Sequence, residues 1–188
     1  MASEDNGTSL AKPAHDTGPL SGYAKAVIAK LGLEPHPEGG WYRRDWQSPT
    51  HSPESFATAT APNLAVVTGN RPLASLIYFL LPAGDFSDWH QVDADEIWLW
   101  HGPGTVTLEL AGDGSSPDVS QSRMITLGSG LVGTVSGDLD NPCLETVVGH
   151  AVVPAGTWQR TVPGDADALV SCVVSPGFTF EGFTLADR

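Results

Sequence analysis

"GDFSDWHQVDADEIWLWHG", residues 84–102, decides how this chain is read. A histidine, His90, stands six residues before a glutamate, Glu96, with tryptophans on either side. Successive side chains of a strand point to opposite faces, so His90 and Val92 share one face of a first strand. Glu96, Trp98 and Trp100 likewise share one face of the next. Such a pair amid apolar and aromatic residues leaves three alternatives: a metal site, an acid–base couple, or a strand that only carries polar side chains.

Outward from this stretch, β-rich runs occur at 41–47, 64–68, 73–81, 85–91, 95–101, 105–111, 121–127, 144–153, 157–162, 167–175 and 178–185. Gly, Pro, Asn and Asp punctuate them, and many short strands at this spacing predict a sandwich or barrel. The run "LASLIYFLL" at 73–81 is apolar on both parities, as a central strand covered on both faces requires. One substantial helix is expected in "GYAKAVIAKLGL", where Ala24, Val27, Ile28 and Leu31 share a face, Ser21 is the N-cap and Gly32 the stop. The stretches 48–63 and 128–142 read as extended loops.

The chain has 188 residues, enough for one core-bearing domain over 21–188 behind a disordered tail, 1–20. That tail lacks the basic start and apolar run of a secretory signal. Twenty-two acidic against nine basic residues give a net charge of −13, which argues against nucleic acid and anionic membrane partners. The longest apolar run, 73–83, is too short to span a bilayer. Cys143 and Cys172 form no C-x-x-C motif and no disulfide framework, so a reducing cytoplasm is expected. Cys172, within "ALVSCVV", reads as a core thiol.

The turns "LPAGDF" (81–86) and "VPAGTW" (153–158) are near-copies. The first block resembles cupin motif one, with Gly84, His90, Glu96 and Gly102 in register. The second resembles motif two, with Pro154, Gly156 and then Gln159 where metal-binding cupins carry their last histidine. The chain is more specifically similar to the cupin 5 group, a domain of unknown function with an RmlC-like jelly roll. That likeness is carried by "LGLEPHPEGGWYR" (31–43), "IYFLLPAGDFSDWHQVDADEIWLWHG" (77–102), "VVPAGTWQ" (152–159) and "SCVVSPGFTFEGFTL" (171–185). It implies an all-β cupin double-stranded β-helix, a jelly-roll barrel with a short N-terminal helix, often dimeric, with a small-molecule pocket inside. The chain departs from the group's expected pattern after Arg43, where Arg44 and Asp45 replace an acidic and then a small polar residue.

The fold hosts many chemistries, so function has to come from the residues. Val92 replaces the second histidine of motif one and Gln159 the histidine of motif two, leaving His90 and Glu96 as the strong donors. His101 has the wrong parity and reaches the interior only through a bulge. No intrinsic metal and no cofactor are therefore expected. His90 and Glu96, interior by the motif register, form an acid–base couple or else only satisfy each other. Arg43 is expected to clamp an anionic group, or to pair with surface acids; Trp98 and Gln159 are expected to hold the ligand. Trp41, Trp89, Trp98, Trp100 and Trp158 are core or a box for ring-bearing ligands, and His36, between prolines, reads as a turn residue.

These residues predict a barrel that binds a small anionic or cyclic metabolite and isomerises, epimerises or dehydrates it. The alternatives are a non-catalytic ligand-binding or storage protein and a metal-dependent oxygenase or decarboxylase. A homodimer packed through strand 41–47 or the neighbouring edge is also expected.

Overall fold

The computed structural model describes residues 14–16, 18–54, 69–129, 135–136, 143–144 and 147–186. The strand expected at 64–68, residues 1–13 of the tail, and most of 128–142 and the second half of 48–63 lie outside the described residues.

Helix α1 (Gly22–Leu31) forms where its caps predict it: the Ser21 hydroxyl accepts from the Ala24 N–H at 2.9 Å, and Gly32 ends it at φ 64. Ala24 packs with Leu33, Trp41 and Leu80 beneath the helix, flanked by Val27, Ile28 and Leu31. Within the expected tail, the His15 ring stacks on Phe86 at 3.9 Å, with Nδ1 2.9 Å from Asp85 and Nε2 3.2 Å from Asp88.

Among the described residues fourteen strands follow in order: β1 (Glu34–Pro35), β2 (Trp41–Gln47), β3 (Ser75–Leu81), β4 (His90–Val92), β5 (Asp95–Pro103), β6 (Val106–Leu110), β7 (Arg123–Leu127), β8 (Val135–Ser136), β9 (Cys143–Leu144), β10 (Val147–Val148), β11 (His150–Val153), β12 (Gln159–Val162), β13 (Ala168–Ser175) and β14 (Phe183–Leu185). One sheet has the order β1-β2-β3-β13-β5-β11, a second β10-β7-β6-β12-β4-β14, and β8 pairs with β9. These two six-stranded sheets make the jelly roll. Core side chains between them include Phe79, Trp98, Leu108, Leu127, Val153 and Val170.

The consecutive strands β4 and β5 belong to opposite sheets. Alternation then turns His90 from one sheet and Glu96 from the other toward the space between them. Across the first sheet, paired residues set the inward rows Arg44–Ile77–Cys172–Trp98 and Ser75–Val174–Glu96.

The expected strand 85–91 shortens to β4 because the Asp85 carboxyl accepts from the Phe86 and Gly40 N–H groups, which turns the backbone before the ladder can start. The expected strand 178–185 likewise shortens to β14 behind a 3₁₀ turn, Phe180–Gly182.

Candidate functional site

At one end of the barrel a cavity of about 490 Å³ opens between the sheets. Its wall includes His90, Val92, Glu96, Cys172, Val174 and Ile77 from the strands, His36 and Glu38 from the turn before β2, and Tyr42 and Arg44 from β2 itself. Residues 178–181 and Phe183 close the remaining side.

His90 is 2 % exposed, and its Nδ1 lies 2.8 Å from the Asp88 carbonyl oxygen. A carbonyl only accepts, so Nδ1 carries the proton and Nε2 keeps a lone pair. Burial lowers the pKa of His90 to about 4, against the opposing pull of Asp88, so the ring is neutral at physiological pH.

Glu96 is 6 % exposed, and the Gln159 amide nitrogen donates to its Oε2 at 2.7 Å. Gln159 is oriented in turn by the Trp98 indole, which donates to Oε1 at 3.1 Å. Burial pushes the Glu96 carboxyl up, while hydrogen bonds from Gln159, Cys172 and Trp98 hold it back. Gln159 pairs with His90 across β12 and β4, so the amide spans the barrel from beside the imidazole to the carboxyl opposite.

Glu38 projects from the turn that Gly39 and Gly40 make possible, at φ 113 and 69. Its side chain is 8 % exposed, and Oε2 lies 3.5 Å from Nδ1 of both His36 and His90. With both imidazoles neutral, these contacts are not ion pairs. Burial, followed by the charge of His90, lowers the pKa of His36 to about 3. Burial, Glu96 and Asp88 together raise Glu38 well above the carboxylate range.

Buried Arg71 holds the 176–183 wall. Its guanidinium meets the Asp93 carboxyl at 2.6 and 3.1 Å and donates to the Gly177 carbonyl at 2.7 and 2.9 Å. Asp93 in turn donates its N–H to the Gly182 carbonyl at 2.9 Å, and Gly182 packs so closely on that carboxyl that no Cβ fits. Phe178, Phe180 and Phe183, on this wall, meet pairwise at 63–86° with centroids 5.2–6.2 Å apart.

His90 and Glu96 thus line one cavity, whereas the three residues expected to hold the ligand lie elsewhere. Trp98 and Gln159 stand behind Glu96, joined to it by the hydrogen-bond chain from the indole through the amide. Arg43 points outward and donates to the Leu31 carbonyl at 2.9 Å, at the C-terminus of α1. Its neighbour Arg44 lines the cavity instead, at the exposed rim. His101 sits in the bulge at β13, opposite no residue, and still faces away from the cavity, with Nε2 2.6 Å from the Ser171 hydroxyl.

The tryptophans are framework rather than lining. Trp100 donates to the Gly104 carbonyl and Trp158 to that of Gly114, Trp41 lies under α1, and Trp89 is covered by the Arg160 guanidinium at 4.8 Å. The aromatic lining comes from Tyr42 and the three phenylalanines. Sequence reading took His36 only for a turn residue and passed over Glu38. The signal available was an acid and an imidazole two residues apart in a Pro/Gly turn leading straight into an inward-facing strand.

The donor set does not fit a transition metal. Gln159 presents an N–H to Glu96 and spends its oxygen on Trp98, Val92 offers only methyl groups, and among the described residues no three His, Cys, Asp or Glu converge on one point.

The cupin 5 family model, described as cupin superfamily (DUF985), matches residues 25–186. The crystal structure of a Shewanella oneidensis protein is 32% identical, with a TM-score of 0.62 over 87% of this chain and 84% of that one. A hypothetical protein from Leishmania major is 23% identical, with a TM-score of 0.61 over 87% and 86%. No curated protein matches the chain. With the family model covering residues 25–186, nearly all of the barrel, the chain belongs to the cupin 5 family of the cupin superfamily.

Proposed function

We propose that this cupin binds a small anionic or cyclic metabolite in its barrel and moves a proton on it, as an isomerase, epimerase or lyase without an intrinsic metal. The observation that carries this reading is the convergence of Glu96 and His90, from opposite sheets, on one enclosed cavity.

Glu96, raised toward neutrality yet held as an acceptor by Gln159, suits a base that takes a proton from carbon and returns it. In an isomerisation or epimerisation Nε2 of neutral His90 accepts and gives back the proton of a neighbouring hydroxyl, so the ligand leaves with its atoms conserved; in a dehydration the proton that Glu96 takes from carbon goes to the departing hydroxyl, which leaves as water. Gln159 and Trp98 are positioning residues for Glu96.

The panel that tests this reading is sugars, nucleotides and carboxylic acids against wild type, Glu96→Gln and His90→Ala, followed by thermal unfolding. A ligand that raises the melting temperature of wild type, and raises that of each variant by less, is the expected result. A ligand that shifts all three equally would rule the pair out as the binding and reacting centre.

Arg44, the cation at the rim, is assigned to the ligand's anionic group. Arg44→Gln is expected to weaken binding of an anionic ligand roughly tenfold, about 1.4 kcal/mol. Arg43→Gln, at the helix end, is expected to leave that affinity unchanged; titration calorimetry separates the two, and equal losses would refute the assignment.

We further propose a homodimer through β2. Beyond Tyr42 its outer edge has no partner strand among the described residues, and Trp46 there is 48% exposed. Light scattering is expected to give twice the chain mass of 19.7 kDa, and a monomer at micromolar concentration would contradict this. A cytoplasmic location agrees with a free Cys172 thiol in the cavity wall, and no described helix is long and apolar enough to cross a membrane.

A further inference from the structure

We infer that the inner end of the cavity is an ammonium site in which Glu38 is the counter-ion and the phenylalanine wall the cage, so that the ligand enters amine-first. The inference rests on the reading that the cavity binds a small molecule, and it adds the chemistry of the ligand's buried end.

Glu38 and Glu96 both face the cavity from buried positions, and among the described lining residues the only Lys or Arg is Arg44, exposed at the rim. Two buried carboxyl groups with no cation beside them are driven toward the protonated form, and a ligand cation would let one of them ionise in place. Glu38 is the less satisfied of the two. Glu96 takes a 2.7 Å hydrogen bond from Gln159, whereas the Glu38 carboxyl has only the 3.5 Å contacts to His36 and His90, too long for good hydrogen bonds.

The adjoining wall, whose Phe180 and Phe183 rings meet His36 and whose Phe183 ring meets His90, suits the same guest. Phe178 and Phe183 line the cavity with their rings 63° apart, Phe180 stands edge-on to both at the more exposed side, 55% exposed, and ring faces set around a corner attract a cation through their quadrupoles. The wall already carries one cation on its rim side, the Arg44 guanidinium 6.0 Å from the centre of the Phe178 ring. The Thr179 hydroxyl, on the same wall and buried, has no hydrogen-bond partner among the described residues and remains for a polar group of the ligand.

The proton balance is simple. A primary amine, with a pKa of about 10, holds its proton better than a buried carboxyl, so the ammonium arrives charged and Glu38 releases its proton to solvent. Glu38 is then the binding carboxylate, leaving Glu96 and His90 to the proton transfer. With Arg44 at the rim, the favoured ligand carries an amine at one end and an anionic group at the other.

The test compares three probes of one size, phenethylamine, 2-phenylethanol and phenylacetate, on the full chain carrying Cys143→Ser. Binding is read by calorimetry and by protection of Cys172, whose thiol lines the cavity, from a small methanethiosulfonate. The expected result is phenethylamine binding at least tenfold tighter than the alcohol, phenylacetate weakest, and Glu38→Gln reducing the amine to the level of the alcohol. Phenylacetate or the alcohol binding as tightly as the amine would overturn the ammonium site while leaving a ligand-binding cavity intact. If no probe binds and none protects Cys172, the ligand-binding reading falls with it. The wild-type comparison stands alone even if Glu38→Gln folds poorly.

Discussion

Arg71→Met is expected to lower stability by about 3–5 kcal/mol, the usual result of leaving one member of a buried ion pair uncompensated. At roughly 2–4 °C per kcal/mol for a chain of this size, the melting temperature falls by on the order of 10 °C. Arg71 is 3 % exposed and Asp93 1 %, and the guanidinium also satisfies the Gly177 and Pro176 carbonyls, so no water is placed to replace it. The damage should reach the site, because those carbonyls and Gly182, bound to Asp93, belong to the segment that carries the three phenylalanines. The double variant Arg71→Met/Asp93→Leu, which removes both charges, should recover part of the loss. Thermal unfolding of the single and double variants checks this, and a single variant within 1 kcal/mol of wild type would show that the wall does not depend on the pair.

Glu96→Gln is expected to lower proton transfer by about 10²–10⁴-fold while leaving the fold as stable as wild type or more so. The sign follows from burial. The folded pKa of Glu96 is raised, so the folded protein holds that proton more tightly than the unfolded chain does. Stability from this group is therefore complete below the unfolded value of 4.5 and is lost as pH rises through the folded pKa. The neutral amide escapes that loss, so the variant should match wild type at pH 4 and gain on it toward pH 8. If the carboxyl served only to satisfy Gln159, the substitution would instead cost about 1–3 kcal/mol at every pH, with no effect on ligands. Urea unfolding at pH 4, 6 and 8 separates the two outcomes.

The parts of the molecule built from regular alternation were legible in the sequence. Strand 41–47 and helix 22–31 with both caps follow from periodicity and punctuation, and the shared cavity of His90 and Glu96 agrees with the motif register that the family resemblance implied. The remainder of the site depends on geometry without a period. Adjacent Arg43 and Arg44 are charged on both faces of β2, and only the position of α1, whose Leu31 carbonyl captures Arg43, decides which one faces the cavity. His36 and Glu38 point inward because two left-handed glycines redirect the turn, and Phe178 and Phe180 because a 3₁₀ segment is stapled by a buried arginine distant in sequence. The tryptophans misled for a different reason. Several indole N–H groups find partners within the framework, so rings that looked available for a ligand are committed to packing.

Whether Glu96 and His90 move a proton on a bound metabolite is tested most directly by deuterium exchange. Members of the panel that bind are incubated with wild type and with Glu96→Gln in deuterated water and followed by proton NMR. Loss of one carbon-bound proton signal with wild type, and its retention with Glu96→Gln, is the predicted result. Binding by wild type with every carbon-bound proton retained would contradict the proton-transfer account and make the barrel a non-catalytic binding site.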